Sequence, residues 1–428
     1  MTHHVILGAG PAGVIAAETL RKHAPADTIT LVGDEPDAPY SRMAIPYLLI
    51  GNIEEQGTYL RKSATHFDDL RITQVKAKVT RVDAAGKTVH LDNGQSMAFD
   101  KLLIATGSHP VRPPIAGMDL PGVHPCWTLE DARAILQRAT KGARVLQMGA
   151  GFIGCIIMEA LAARGVRLSV VEMGDRMVPR MMGPTAGGMI KDWCMAKGVQ
   201  VFTGTKVEGI AKGSGDAALS VRLSSGETLD VDLVISATGV RPAIGFLEKS
   251  GVRCLLGVLT DEHLQTNVPG IYAAGDCAEA FDKVSGKMIV SAIQPNAAEQ
   301  ARVAALNMVG QVTALKGVTQ INVLDTLGLI SSSFGDWQGV PGGEHVELTD
   351  TAAGRHLSLQ FKDDVLVGCN SVGWTSHVGV MRGLVEGQIH LGPWKDVLKA
   401  DPTRLVDAYL ASAQGQGHWS GAQDERRR

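Results

Sequence analysis

The stretch His3-His4-Val5-Ile6-Leu7-Gly8-Ala9-Gly10-Pro11-Ala12-Gly13 decides the fold of this 428-residue chain. Its apolar start predicts a strand, His3 to Leu7, and Gly8, Gly10 and Gly13 follow with G-x-G-x-x-G spacing. A helical stretch continues to about His23, and the β-branched run Thr28 to Val32 predicts a second strand ending near Asp34 and Glu35. Three glycines alone say little in a chain that has fifty of them. Set between a strand and a helix, with an acid beyond the next strand, they mark a dinucleotide cradle. The first glycine permits the tight turn, the second lets a pyrophosphate approach the backbone, and the third lets helix and strand pack closely. The helix N-terminus then turns free N–H groups and a positive dipole end toward the phosphates.

A second copy lies about 140 residues further on. Arg144 to Met148 runs into Gly149-Ala150-Gly151-Phe152-Ile153-Gly154, a helix continues to about Arg164, and the strand Leu168 to Val171 stops at Glu172. Glu35 and Glu172 stand where each would accept hydrogen bonds from ribose hydroxyls. Two cradles imply two dinucleotides. Two more strands end alike, Leu102 to Ile104 before Ala105-Thr106-Gly107 and Leu233 to Ser236 before Ala237-Thr238-Gly239. Each follows a hairpin-like stretch with a turn, at Asp92-Asn93-Gly94 and at Ser224-Ser225-Gly226. The fold class is therefore α/β, with two Rossmann-like dinucleotide-binding domains. From about Val318 the pattern changes to the strands Leu357 to Phe361 and Val365 to Val367 and a helical end near Thr403 to Ser412. Trp337, Trp374, Trp394 and Trp419 fall there, so a separate C-terminal α+β domain is expected, followed by a flexible polar tail, 413–428.

Composition removes other readings. Forty-one basic and forty-four acidic side chains leave a net charge of −3, without the basic excess that nucleic-acid binding needs. Aromatics at 4% are too few for stacking platforms on single strands. Cys126, Cys155, Cys194, Cys254, Cys277 and Cys369 are nowhere closer than twenty-three positions, so neither a zinc site nor an iron–sulfur ligand run is expected, and no metal is assigned. Scattered thiols suit a reducing, cytoplasmic location. No window approaches the roughly 18 consecutive apolar residues of a membrane-spanning helix.

Together these residues resemble the two-dinucleotide flavoprotein reductases of the pyridine nucleotide–disulfide oxidoreductase superfamily. Glu35-Pro36 followed by Pro39-Tyr40-Ser41-Arg42 is similar to the segment of ferredoxin, rubredoxin and nitrite reductase flavoproteins that serves FAD. Thr266-Asn267-Val268-Pro269-Gly270-Ile271-Tyr272-Ala273-Ala274-Gly275-Asp276 is close to diagnostic. The resemblance implies an FAD domain, 1–112 and 240–317, split around an NAD domain, 113–239, with the Ala-Thr-Gly turns as crossings and 318–412 as an interface domain. It assigns Asp276 to the FAD ribityl chain and Arg42 to the phosphate or adenosine end. Gly8, Gly10, Pro11, Ala12, Gly13, Glu35, Pro46, Val79, Ala105, Thr106, Gly107, Gly275, Pro295 and Asn296 complete the expected FAD set. Gly149, Gly151, Phe152, Ile153, Gly154, Glu172, Thr238 and Gly239 form the NAD(H) set.

The departures from that superfamily are informative. Members that reduce disulfides carry one or two cysteines where this chain reads Arg42-Met43-Ala44-Ile45-Pro46-Tyr47, and the His–Pro acid/base pair is missing from the last domain. Thiol–disulfide chemistry needs a thiolate, so it is not expected here. Cys277, next to Asp276, reads as a small buried residue. A lysine and a glutamate that meet beside the flavin in many members correspond to Tyr47 and Ile156. No catalytic side chain is demanded, since the resemblance implies hydride transfer between the two cofactors. The expected activity passes electrons between NAD(H) and an iron–sulfur partner, either a ferredoxin-type protein or a subunit of a larger complex. Within that class the Pro-Tyr-Ser-Arg-Met-Ala-Ile-Pro segment resembles the FAD subunits of phenylglyoxylate dehydrogenase and tungsten aldehyde oxidoreductase complexes. The alternatives are an NADH oxidase using oxygen directly and a flavin-bearing interaction protein resembling apoptosis-inducing factor.

Overall fold

Parallel pairing on both sides of the first motif strand builds one of two compact units, Met1–Val111 with Trp127–Ala132 and Val240–Val318. The structure, a computed structural model, describes residues 1–420, with side chains through residue 413. His3–Leu7 lies between Thr28–Gly33 and Lys101–Ile104, with Leu7 opposite Val32 on one side and Ile104 on the other. The full parallel order is Ile271–Ala273, Lys101–Ile104, His3–Leu7, Thr28–Gly33, Ile72–Lys76. Strands covered on both faces read as unbroken apolar runs, and Val5, Ile6 and Leu7 are at most 1% exposed. The helix Pro11–His23 shares one core with the helix Gln294–Met308. Ala16, Ala17, Ala301, Ala304 and Ala305 lie in that core, and such small side chains let two helix backbones come close.

The second unit, Arg112–Cys126, Arg133–Gly239 and the chain from Thr319 onward, repeats the plan. Its parallel order is Gln200–Phe202, Arg167–Val171, Arg144–Met148, Leu233–Ser236, Val123–Pro125. The repeat holds at single hydrogen bonds. Gly8 N donates to Val32 O at 2.7 Å and Gly149 N to Val171 O at 2.8 Å. Ala105 N donates to Leu7 O at 2.7 Å and Ala237 N to Met148 O at 2.8 Å. The expected hairpins form as antiparallel pairs, Thr88–Leu91 with Ser96–Ala98 and Leu219–Leu223 with Thr228–Val231. The short strands after the two Ala-Thr-Gly turns, Ser108–Pro110 and Val240–Pro242, pair with each other in the first unit.

The C-terminal region has its own five-stranded antiparallel sheet, ordered Ile321–Thr326, Leu329–Gly335, Val365–Val372, Arg355–Lys362, Glu344–Asp350. It belongs to the same compact unit as the second dinucleotide module rather than standing alone. The physical tie is the turn at Leu327. Its N–H donates to Glu159 Oε2 at 2.5 Å and its carbonyl accepts from Trp193 Nε1 at 3.1 Å, which fastens the sheet to the helices Phe152–Ala163 and Pro184–Ala196. The last helix, Leu405–Ser420, runs past the expected end near Ser412. Residues 421–428 of the expected tail lie outside the described residues. Among the described residues no helix is long and apolar enough to cross a membrane.

The third motif glycine sets the distance between helix and turn. A Cβ on Gly13 would lie 1.8 Å from Gly8 O and 3.2 Å from Leu31 Cδ1, so the helix must shift bodily to admit it. Gly13→Ala should therefore destabilise the first unit by about 3 kcal/mol or more, as forced overpacking against backbone does. A thermal melt of the variant that matches the wild type would contradict this packing.

Candidate functional site: two dinucleotide cradles

The two motif turns share one geometry. Gly8 has φ +113° and Gly149 φ +97°, and a Cβ would lie 2.1 Å from Ala105 O in the first case and 2.4 Å from Ala237 O in the second. These glycines are required by the fold itself. Gly10 and Gly151 are not, because a Cβ on either would meet nothing within 4 Å. Each is the N-cap of its motif helix and provides no side-chain cap. The space beside each N-cap glycine is therefore open where the helix begins. Open space at an uncapped helix start fits an anionic phosphate pair, and the residues present fit a dinucleotide at each cradle.

The acids that close the two cradles are wired differently. Glu172 Oε2 accepts from Ala150 N at 2.8 Å and Oε1 from Gly174 N at 2.7 Å, so two backbone donors fix the carboxylate over the turn. Arg176 is committed elsewhere. It donates to Met182 O at 2.8 Å and pairs with Asp175 at 2.7 Å. Glu35 instead meets side chains, accepting from Arg42 Nη2 at 2.5 Å and from the Tyr40 hydroxyl. Arg42 Nη1 also donates to Tyr40 Oη at 2.9 Å and to Trp127 O at 2.7 Å. Its guanidinium lies 5.5 Å from the centre of the Tyr40 ring and 5.2 Å from that of Trp127, within cation–π range. Burial pushes the Tyr40 phenol well above its ordinary range, so it stays a neutral donor.

Asp276 follows the strand Ile271–Ala273 and is half-buried, and desolvation raises its carboxyl above the usual range. The Ser108 hydroxyl donates to Asp276 Oδ2 at 3.0 Å. Gly275 N donates to Gln300 Oε1 at 2.7 Å, which ties this turn to the helix Gln294–Met308. That helix begins at the expected Pro295-Asn296, and Asn296 Nδ2 donates to Ser291 Oγ at 2.7 Å. Thr106 Oγ1 donates to Ala243 O at 2.8 Å, holding the first crossing, while Thr238 Oγ1 lies 3.4 Å from Ser236 Oγ in the other unit. Gly107 and Gly239 both have positive φ, +66° and +106°, as such turns require. Pro46 lies in the short helix Ile45–Ile50, and Val79 opens the strand Val79–Asp83. Tyr47, 55% exposed, stands on a groove of about 440 Å³ together with Met43, Pro295 and the hydrogen-bonded pair Ser41–Gln294. No charged side chain lines it.

The cysteine that follows Asp276 is sealed from solvent. Cys277 is fully buried, its thiol reaches Ile104 O and Ala274 O at 3.4 Å, and burial pushes it up to about 11. Sequence reasoning missed Ser108 and Trp127. Ser108 directly follows the Ala-Thr-Gly turn, which is a usable signal. Trp127 has none, because its contacts to Arg42 and Ser108 span 85 and 19 residues.

Comparison with known proteins fits this geometry. A family model described as pyridine nucleotide-disulphide oxidoreductase matches residues 2–305. The NADH-dependent phenylglyoxylate dehydrogenase subunit epsilon of Aromatoleum evansii is 30% identical over 94% of this chain and 95% of its own length. An NADH oxidase of Methanocaldococcus jannaschii is 33% identical over 72% of this chain and 70% of its own length. The covalent putidaredoxin reductase–putidaredoxin complex superposes with a TM-score of 0.88 at 23% identity, covering 96% of this chain and 99% of that one, which shows a shared fold.

The open face of Gly10 separates folding from cofactor binding. Gly10→Ala should melt within about 1 kcal/mol of the wild type, since its φ of −77° suits any residue and the Cβ meets nothing. Its flavin-to-protein absorbance ratio should fall after purification. Full flavin content in that variant would show that the cradle holds something else.

Proposed function

The chain belongs to the pyridine nucleotide-disulphide oxidoreductase family, and we propose that it passes electrons between NAD(H) and an iron–sulfur partner, a ferredoxin-type protein or a subunit of a larger dehydrogenase complex. It is an oxidoreductase that uses FAD and NAD(H). FAD, when bound, supplies the conversion between two-electron exchange with nicotinamide and one-electron exchange with a metal centre. The protein's residues bind and orient. Gly8, Gly10, Pro11, Ala12 and Gly13 form the FAD cradle, Glu35 and Arg42 its adenosine end, and Asp276 its ribityl contact. Pro46, Val79, Ala105, Thr106, Gly107, Gly275, Pro295 and Asn296 line the rest. Gly149, Gly151, Phe152, Ile153, Gly154, Glu172, Thr238 and Gly239 hold NAD(H).

One observation carries the choice of partner. The cysteine nearest Asp276 in sequence is buried and held protonated, and Arg42 to Tyr47 contains none. A protonated thiol is no nucleophile, so no thiol relay takes the electrons, and they leave for an external redox centre. The end-to-end match with a dehydrogenase subunit supports a partner-dependent role over an oxidase, whose match covers 70% of that protein. Free thiols at all six positions support a cytoplasmic location. Formal charge is +1 over residues 1–317 and −4 over 318–428, so an acidic partner is drawn to the nucleotide modules, whereas a fixed subunit relies on packing.

Glu172 accepts from backbone donors while Arg176 is engaged with Asp175 and Met182 O, so Arg176 is not poised for a 2′-phosphate. NADH is therefore expected to reduce the flavin with at least about ten-fold higher apparent affinity than NADPH. Rapid-mixing reduction with each nucleotide checks this, and equal affinities would contradict it. In steady state, NADH should drive rapid reduction of a one-electron dye, slow reduction of oxygen, and negligible reduction of a disulfide. Disulfide reduction abolished by a cysteine substitution would overturn the proposal, and oxygen consumption as fast as dye reduction would favour the oxidase.

A further inference from the structure

Asp276 poses a physical problem that the cradle alone does not solve. A partly buried carboxylate is costly unless donors stabilise it, and it is the stronger acceptor while ionised. Among the described residues its one side-chain hydrogen-bond donor is Ser108 Oγ, at 3.0 Å to Oδ2. Ser108 is itself buried and held from behind, since its carbonyl accepts from Trp127 Nε1 at 3.0 Å. The carbonyl of Trp127 accepts in turn from Arg42 Nη1 at 2.7 Å, and Arg42 pairs with Glu35. A continuous chain, Asp276–Ser108–Trp127–Arg42–Glu35, thus joins the two acids assigned to opposite ends of FAD. Every member lies within the first compact unit.

We propose that Ser108 is a positioning residue for the flavin, holding the Asp276 carboxylate by Oδ2 so that its other oxygen is presented to a cofactor hydroxyl. The inference rests on the assignment of Asp276 to FAD and goes beyond it, because Ser108 touches the cofactor only through another residue. The ionisable groups acting on Asp276 are few. Arg42 favours its charged form, and Cys277, the next residue, is a protonated thiol aimed at Ile104 O and Ala274 O. Burial works against the charged form, and the Ser108 hydroxyl works for it. Removing the hydroxyl should therefore raise the pH at which Asp276 takes up a proton and becomes a weaker acceptor.

The test is FAD binding to flavin-stripped full-length protein, followed by quenching of FAD fluorescence across a pH series. Ser108→Ala should weaken binding about ten-fold at neutral pH, the size expected for one hydrogen bond to a charged group. It should also move the acid-side loss of affinity to higher pH, and Ser108→Thr, which keeps the hydroxyl, should restore both. Unchanged affinity in Ser108→Ala would overturn the inference, as would weakened binding with an unmoved pH midpoint, which a merely structural role would give. Asp276→Ala separates the two levels. If it leaves FAD affinity intact, the assignment of Asp276 itself fails; if it lowers affinity while Ser108→Ala does not, the role of Ser108 alone fails. Should Ser108→Ala not fold, Trp127→Phe, which removes the indole donor and keeps the ring beside Arg42, should produce a smaller change in the same direction; no change would overturn the inference.

Discussion

Each dinucleotide module depends on a backbone carbonyl standing where a side chain would otherwise be. Ala105 O and Ala237 O approach the first motif glycines so closely that a Cβ would overlap them, at 2.1 and 2.4 Å. That approach lets the motif strand pair in parallel with the strand ending in Ala-Thr-Gly, and it places the crossing beside the cradle. The hydrogen bonds Ala105 N to Leu7 O and Ala237 N to Met148 O close the same junction. Motif strand, helix start and crossing are thus positioned by one contact, and the cofactor residues inherit their places from it. The glycine requirement is therefore of two kinds. Gly8 and Gly149 are demanded by the packing of the chain itself, and Gly10 and Gly151 are not.

Equal motifs have not produced equal sites. The acid of the second module is restrained by peptide N–H groups, which carry no net charge and leave the carboxylate available to a ribose. The acid of the first is restrained by a guanidinium and a phenol that also reach the crossover residue Trp127. A charged, aromatic clasp of this kind suits a ligand that stays bound, because it fixes the acid and its donors in advance. Backbone restraint suits a nucleotide that comes and goes, since little has to rearrange on each encounter. The difference arises from four residues, Pro39 to Arg42, that have no counterpart after Glu172.

What was legible in the sequence follows the range of the forces involved. The strands His3–Leu7 and Arg144–Met148 were readable to the residue because apolar runs ending in motif glycines are local signals. Both helix starts and the hairpin turns were legible for the same reason. Two things were not. The segment Trp127–Ala132 joins the first unit although it lies beyond the crossing, held by the hydrogen bonds of Trp127 with Arg42 and Ser108 and of Leu129 with Tyr40. The C-terminal sheet, distinct in pattern, shares a unit with the second module through the turn at Leu327, whose two polar contacts use backbone atoms that no side-chain pattern reveals.

The family name joins pyridine nucleotides to disulfides, yet the thiols of this chain are disposed against that chemistry. Cys155 and Cys369 are buried, and burial above all drives them far from ionisation; Cys194 is raised to about 12 and Cys277 to about 11. Thiolate exchange at neutral pH needs a stabilised, accessible sulfur, and Cys155, Cys194, Cys277 and Cys369 are all buried. The same economy appears at Tyr47, where many members of the family have a lysine. It stands half exposed on a groove without charged lining, and a lysine there would need a carboxylate to offset its desolvation under a docked partner or cofactor. In the other unit, Ile156 occupies the place of that carboxylate. Replacing both partners by uncharged groups avoids leaving either charge alone.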